Sequence, residues 1–171
     1  MKARWRAMRT EDLAAVEQIA LIVHPDYPED IAIPRERLAL FPQGCRVARD
    51  EAGAIIGYAV AHPGLLGAPP PLDSLLGALP AAPDCLYLHD VALLPAARGA
   101  GLGAALVAEL HEVAAGHRLP LLALVAVGNA APYWQRQGFA LRHPEPALAA
   151  KLASYGDGAA YMTAAVMPRT R

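Results

Sequence analysis

The segment Arg98–Gly103, "RGAGLG", constrains this chain more tightly than any other. It follows an apolar stretch, "CLYLHDVALL", and precedes an alanine-rich run, "AALVAELHEVAAG". Glycines at every second position give up more backbone entropy on folding than other residues do, so a regular element is disfavoured across them. The flanks therefore define a strand, a bare turn and a helix in close succession. Such a unit can hold an anion. The first turn of a helix offers free N–H groups and the positive end of its dipole, and missing side chains let a phosphate approach the backbone. Arg98 adds a fixed charge. The structural alternative is a tight turn that only allows close helix packing.

The rest of the chain supplies a mixed α/β pattern. "ARWRAMR" reads as a first strand, after which Thr10 is placed to cap a helix carrying Leu13, Val16, Ile19 and Ala20 at helical spacing. "HPDYPED" ends that helix, and Pro34 opens a second, short one in "IPRERLALF". "CRVARDEAGAIIGYAVAH" predicts an antiparallel hairpin around "DEAG", its second strand running over 54–62. Prolines and glycines exclude long regular structure over 63–83, which reads as a loop beside the site. A helix is predicted over 102–115, then a buried strand in "LPLLALVAV", a short helix in "NAAPYWQRQ", a strand in "GFALR", and a last strand in "AAYMTAAV" behind the turn "YGDG".

Composition narrows the function classes. At 171 residues the chain fits one domain spanning 1–171, and 55% hydrophobic against 18% charged residues predicts a packed globule. The longest apolar run is far short of the roughly 20 residues that span a bilayer, and the basic start lacks the unbroken apolar core of a signal peptide. A soluble, cytoplasmic protein without a membrane partner is the expectation. Net charge is −1 with no basic cluster beyond the first ten residues, which argues against nucleic acid and for a small ligand. Cys45 and Cys85 have no metal or disulfide spacing, so buried reduced thiols and no metal site are expected.

Two phosphate-binding readings compete. "GAGLGA", Gly99 to Ala104, satisfies the dinucleotide pattern G-x-G-x-x-G/A, which would suit a nicotinamide-dependent oxidoreductase. That pattern wants its first glycine directly after the strand and an acid at the end of the next strand. Here "LPAAR" intervenes and the following strand ends in "VAVGNAAP". The other reading is a resemblance. "VALLPAARGAGLGAALVAEL" resembles the signature segment of the GNAT acetyltransferases, whose core is Q/R-x-x-G-x-G/A after a strand ending in an apolar-x-Pro step. Arg98, Gly101 and Gly103 match the core, and Leu93-Leu94-Pro95 match the step. "GNAAPYWQRQGFAL" resembles the second signature of the family, and the order of elements agrees over nearly the whole chain.

The resemblance implies a single-domain α/β fold whose mixed central sheet splays at the cofactor strands, near 86–94 and 121–127, with helices on both sides. It also implies acetyl-coenzyme A as donor. Backbone amides of Arg98, Gly99, Ala100, Gly101, Leu102 and Gly103 would hold the pyrophosphate, and Val91, Ala92 and Leu93 the pantetheine arm. Asn129 and Trp134 of the second signature complete the expected cofactor set.

Acetylating an amine requires a base for the ammonium proton and an acid for the departing thiolate. His89 is the candidate base, matching a histidine of the similar serotonin N-acetyltransferase. Its ordinary pKa of about 6.5 suits that role. Asp90 is a candidate for the ammonium, or for a structural hydrogen bond. Strand neighbours point to opposite faces, so His89 and Asp90 are not expected to act as a pair. The acid departs from the family: where many members carry tyrosine this chain has Trp134, which has no acidic proton near neutral pH. Tyr133 is nominated instead, although it is turned roughly 100° around the helix, with Tyr155 and Tyr161 as others able to reach in. Trp134 is then expected to pack. Asp26, Tyr27 and Glu29 in "HPDYPEDI" are the candidate substrate residues, able to attract a cationic amine. Leu65, Leu66, Leu75 and Leu76 would form an apolar wall of the cleft or a homodimer contact. The expectation is direct acetyl transfer to a small-molecule or peptide amine, since neither cysteine lies in a signature. An acetyl-coenzyme A-binding module without turnover is the alternative.

Overall fold

Residues 2–168 are described by a computed structural model of the chain. Strand β1 (Arg4–Ala7) leads into helix α1 (Leu13–Val23) and helix α2 (Ala32–Leu40). The hairpin follows as β2 (Cys45–Arg49) and β3 (Ile55–Gly64). Its turn is closed by Asp50, whose carboxylate accepts the Ala54 N–H at 2.9 Å while Gly53 takes the left-handed backbone the turn requires. After the irregular loop come β4 (Cys85–Leu93), α3 (Leu102–Gly116) and β5 (Leu121–Ala126). The chain closes with α4 (Ala131–Arg136), β6 (Ala140–Leu141), α5 (Pro146–Ala153) and β7 (Ala160–Ala165).

These strands make one seven-stranded sheet in the order β1-β2-β3-β4-β5-β7-β6, antiparallel throughout except for β4 beside β5. Helices cover both faces. On one, Leu13, Val16 and Ile19 of α1 bury their stripe against Val47, Tyr58, Val60 and Ala92. On the other, Leu102, Leu106 and Leu110 of α3 meet Leu86, Leu88, Leu122 and Leu124. Helical spacing of apolar residues in α1 and α3 thus supplies two half-cores on either side of a shared sheet.

Three local differences from the sequence expectations have physical reasons. Thr10 begins a 3-10 turn, and α1 starts only at Leu13. The buried carboxylate of Asp12 accepts the Arg9 N–H and both ends of the Arg6 guanidinium, each at 2.7 Å. That charge-assisted clasp fixes the turn more firmly than a hydroxyl. Helix α2 begins at Ala32, two residues ahead of Pro34, because a proline inside the first turn removes no needed N–H. Helix α5 was not foreseen. Its signals are Pro146 at the first position and Leu148 and Leu152, spaced to bury one edge against Tyr87 and Tyr161. Strand β3 also runs to Gly64, so that Pro63 pairs with Leu86, beyond the expected end at 62.

Gly44 stands where the turn before β2 crosses β3. A Cβ there would collide with the Ala61 carbonyl oxygen and press on Phe41. Because backbone rather than a mobile side chain blocks the space, Gly44→Ala is expected to lose about 2 kcal/mol, lowering Tm by about 4–8 °C for a domain of this size in a thermal melt.

Candidate active site

The site begins where a ladder stops. Strands β4 and β5 pair in parallel only from Cys85–Leu121 to Leu88–Leu124. Beyond that point β4 stays on β3 as far as Leu93, and β5 stays on β7 as far as Ala126. The two strands part, and the opening forms the wall of a cleft of about 830 Å³ lined by Val91, Ala92 and Leu93 on one side and Val125–Val127 on the other. The splay expected near 86–94 and 121–127 is present.

At one end the cleft reaches the glycine turn. Gly99 and Gly101 adopt left-handed backbone, φ 81° and 76°, and no described atom lies within 4 Å of where a Cβ would stand on either. The backbone there is both bare and approachable. Helix α3 starts at the next residue, Leu102, whose carbonyl is held by the Trp5 indole N–H at 2.8 Å. Gly103 has a different role. A Cβ on it would coincide with the Tyr133 hydroxyl, so this glycine makes room for a side chain of α4. Arg98, Gly99, Gly101, Leu102 and Gly103 line the cleft, while Ala100 faces away and is exposed.

At the middle of β4 the pleat is interrupted. Val60 pairs with Asp90 and Ala61 with Leu88, leaving His89 as an extra residue in a β-bulge. The bulge overturns the expectation that His89 and Asp90 point to opposite faces. His89, Asp90 and Ala92 share the face covered by α1 and α2, whereas Leu86, Leu88, Val91 and Leu93 pack toward α3. Both polar side chains therefore meet the segment between α1 and α2. His89 Nε2 lies 2.7 Å from Glu29 Oε1, and His24 Nε2 lies 3.0 Å from Asp90 Oδ1 and 3.1 Å from the Val91 carbonyl oxygen. The Tyr58 hydroxyl donates to the second Asp90 oxygen at 2.5 Å.

These pairs set the charges. Burial pushes the Asp90 carboxyl up, but the bonds and charge of His24, the Tyr58 hydroxyl and His89 outweigh it, so Asp90 rests below its ordinary value. Burial likewise disfavours charge on His24. The Asp90 hydrogen bond and charge and the Val91 carbonyl reverse this, and His24 is raised. Glu29 is lowered in the same way, its burial offset by His89 and by the Asp73 N–H, which donates to Oε2 at 2.8 Å. Two carboxylate–histidine pairs thus cross from the α1–α2 segment to one stretch of β4.

The remaining nominated residues divide. Tyr27, Glu29, His89, Asp90, Tyr133 and Trp134 line the cleft; Asp26 and Asn129 are exposed and outside its lining. Tyr133 and Trp134 stack edge to face with centroids 5.1 Å apart, and Trp134 continues into the core against Phe139. Burial raises the Tyr133 phenol. Tyr155 also reaches the cleft, whereas Tyr161 is buried elsewhere with its oxygen accepting the Gly67 N–H. The loop over 63–83 contributes Leu72 and is tied down by bonds from Leu76 and Gly77 N–H to Glu36 and from Tyr155 to the Pro70 carbonyl. Cys45 and Cys85 are buried outside the cleft, their thiols pushed up to about 12 by desolvation. Sequence reasoning missed His24 and Tyr58; a histidine closing a helix before "PDY" was the one available signal for the former.

Comparison with known proteins follows the same lines. No curated protein matches the chain. The solved structures include Ard1 from Thermoplasma volcanium, at 16% identity and TM-score 0.73 over 98% of this chain and 99% of that one. The NatC complex bound to Gag peptide and CoA matches at 16% identity and TM-score 0.71, covering 98% and 100%. A GNAT-like decarboxylase, GphF in complex with isobutyryl-CoA, matches at 20% and TM-score 0.73, covering 96% and 100%. At these identities the likeness is one of fold. The model of the acetyltransferase (GNAT) family matches residues 7–139, a stretch that holds the parted strands, the glycine turn and both carboxylate–histidine pairs, and the chain belongs to that family.

Proposed function

We propose that the chain is an acetyl-coenzyme A-dependent N-acetyltransferase that passes the acetyl group directly to a primary amine. The observation that carries this reading is the shared face of His89 and Asp90 at the parted strands. It sets acid–base groups on one side of a cleft whose far end is bare backbone at a helix start. When bound, the cofactor would supply a thioester carbonyl for the amine to attack. The residues present fit such a cofactor. The open space over Gly99 and Gly101 suits a pyrophosphate, Arg98 adds charge, and the β4 edge at Val91–Leu93 lacks a strand partner on the β5 side for a pantetheine arm to replace.

The protein groups then have distinct tasks. Glu29 and Asp90 receive the ammonium, and His89, oriented by Glu29, takes its proton, leaving a neutral amine. Tyr133, held against Gly103 with its phenol raised by burial, keeps its proton and can give it to the departing sulfur. Trp134 packs. The raised, buried thiols of both cysteines favour direct transfer over an acyl-cysteine relay. One observation favours a second reading, binding without turnover: Trp134 fills the position where many family members carry tyrosine.

Release of free thiol from acetyl-coenzyme A with an amine separates the two readings, and its absence across an amine and peptide panel would leave only binding. Given turnover, His89→Gln is expected to lower kcat about 100-fold with little change in donor KM, and Tyr133→Phe to lower it at least tenfold while Trp134→Phe does not. Gly101→Val should raise the donor KM at least tenfold, since a branched side chain suits neither a left-handed backbone nor an approaching anion. The His24–Asp90 pair gives a pH test. A raised histidine stabilises the fold below its unfolded pKa of about 6.5 and loses that contribution as pH climbs through the folded value; a lowered aspartate keeps its contribution above about 4. The Tm gap between the wild type and His24→Gln is therefore expected to be widest near pH 5.5 and to narrow by about pH 9.

A further inference from the structure

A second cavity, of about 100 Å³, lies on the α1–α2 face of the sheet behind the two carboxylate–histidine pairs. Its apolar walls come from Val16 and Ala20 of α1, Ile31, Ile33 and Pro34 around the start of α2, and Val60 of β3. Its polar lining comes from Glu17 and Tyr58 and from His24, Tyr27, Glu29, His89 and Asp90; the last five also line the large cleft and so stand between the two spaces. The part of the cavity bounded by the apolar residues is better suited to carbon than to water. A wall carrying two carboxylates is suited to a cation. The two demands are met together by an amphipathic occupant with its charge at the partition and its body behind it.

We propose that this cavity receives the body of the acceptor, and that the acceptor is a primary amine on a compact, uncharged aliphatic group without a carboxylate beside the amine. The inference rests on the acetyltransferase reading, which it narrows to a substrate class. Size sets one limit: at roughly 30 Å³ per water the space takes about three waters, or an aliphatic group of about four or five carbons. Charge sets the other. Glu29 and Asp90 are both held ionised below their ordinary values, and Glu17 stands exposed at the cavity rim. An amino acid would bring its own carboxylate to a wall whose histidines are already paired with Glu29 and Asp90, and the cost of desolvating it there selects against it. A second ammonium would have to leave the apolar part of the cavity for the exposed Glu17 at its rim, where solvent screens the attraction, which selects against short diamines.

Calorimetric titration of the full chain with isopentylamine, ethylamine, leucine and 1,4-diaminobutane, without donor, tests the proposal. Isopentylamine is expected to bind at least tenfold more tightly than each of the others. Ala20→Leu, which fills the cavity from α1, should reduce isopentylamine affinity at least tenfold and bring it close to that of ethylamine. The wild-type series stands alone if that variant fails to fold. Equal affinity for isopentylamine and ethylamine, or tighter binding of leucine or the diamine, would overturn the proposal. Adding acetyl-coenzyme A separates the two levels. Selective binding without thiol release would sink the transferase reading and leave the cavity assignment standing. Turnover of ethylamine with no gain for isopentylamine would sink the cavity assignment alone.

Discussion

Parallel pairing between β4 and β5 lasts four residues, and the geometry of the site depends on its ending there. A sheet that stayed paired to Leu93 would fill the cleft with its own hydrogen bonds. Each strand is instead held by its outer antiparallel neighbour, β4 by β3 and β5 by β7, so the parted ends lose little support. The cost of the opening is met by pairing that lies away from it. Helix α3 can then start at the mouth of the gap, fixed by the Trp5 indole from the far edge strand.

The β4 bulge is the second element of this design. One extra residue at His89 reverses the pleat, so that two adjacent polar side chains emerge on the same face while the apolar residues on either side return to their half-cores. Glu29 and His24 reach across to them from a segment with no regular structure. Those two ion pairs hold the segment together with the packing of Val23 and Ile31 at its ends. The same Glu29 carboxylate also accepts the Asp73 N–H, a second tie of the proline-rich loop to the site beside that of Tyr155.

Much of this was legible in the sequence and some was not. The strand, glycine turn and helix from Cys85 to Gly116 could be read because glycine spacing and helical periodicity are local signals. The hairpin could be read for the same reason. The bulge could not, since an extra residue exists only by comparison with a partner strand about thirty residues away. His24 was missed for a related reason: its partner, Asp90, is brought to it by the bulge itself. Asp26 was nominated from charge alone, and exposure separates it from Glu29 three residues later. Tyr133 was nominated although it sits roughly 100° around the helix from Trp134, and both side chains line the cleft.

Gly103 changes the meaning of the glycine pattern. Two of the three alternating glycines leave backbone open to the cleft, while the third yields its volume to a hydroxyl carried thirty residues further on. Positions 103 and 133 are thus a single steric unit spread over two helices. A relative that gained a methyl group at the first would have to shorten or redirect the side chain at the second, so the pair should be inherited, and lost, together.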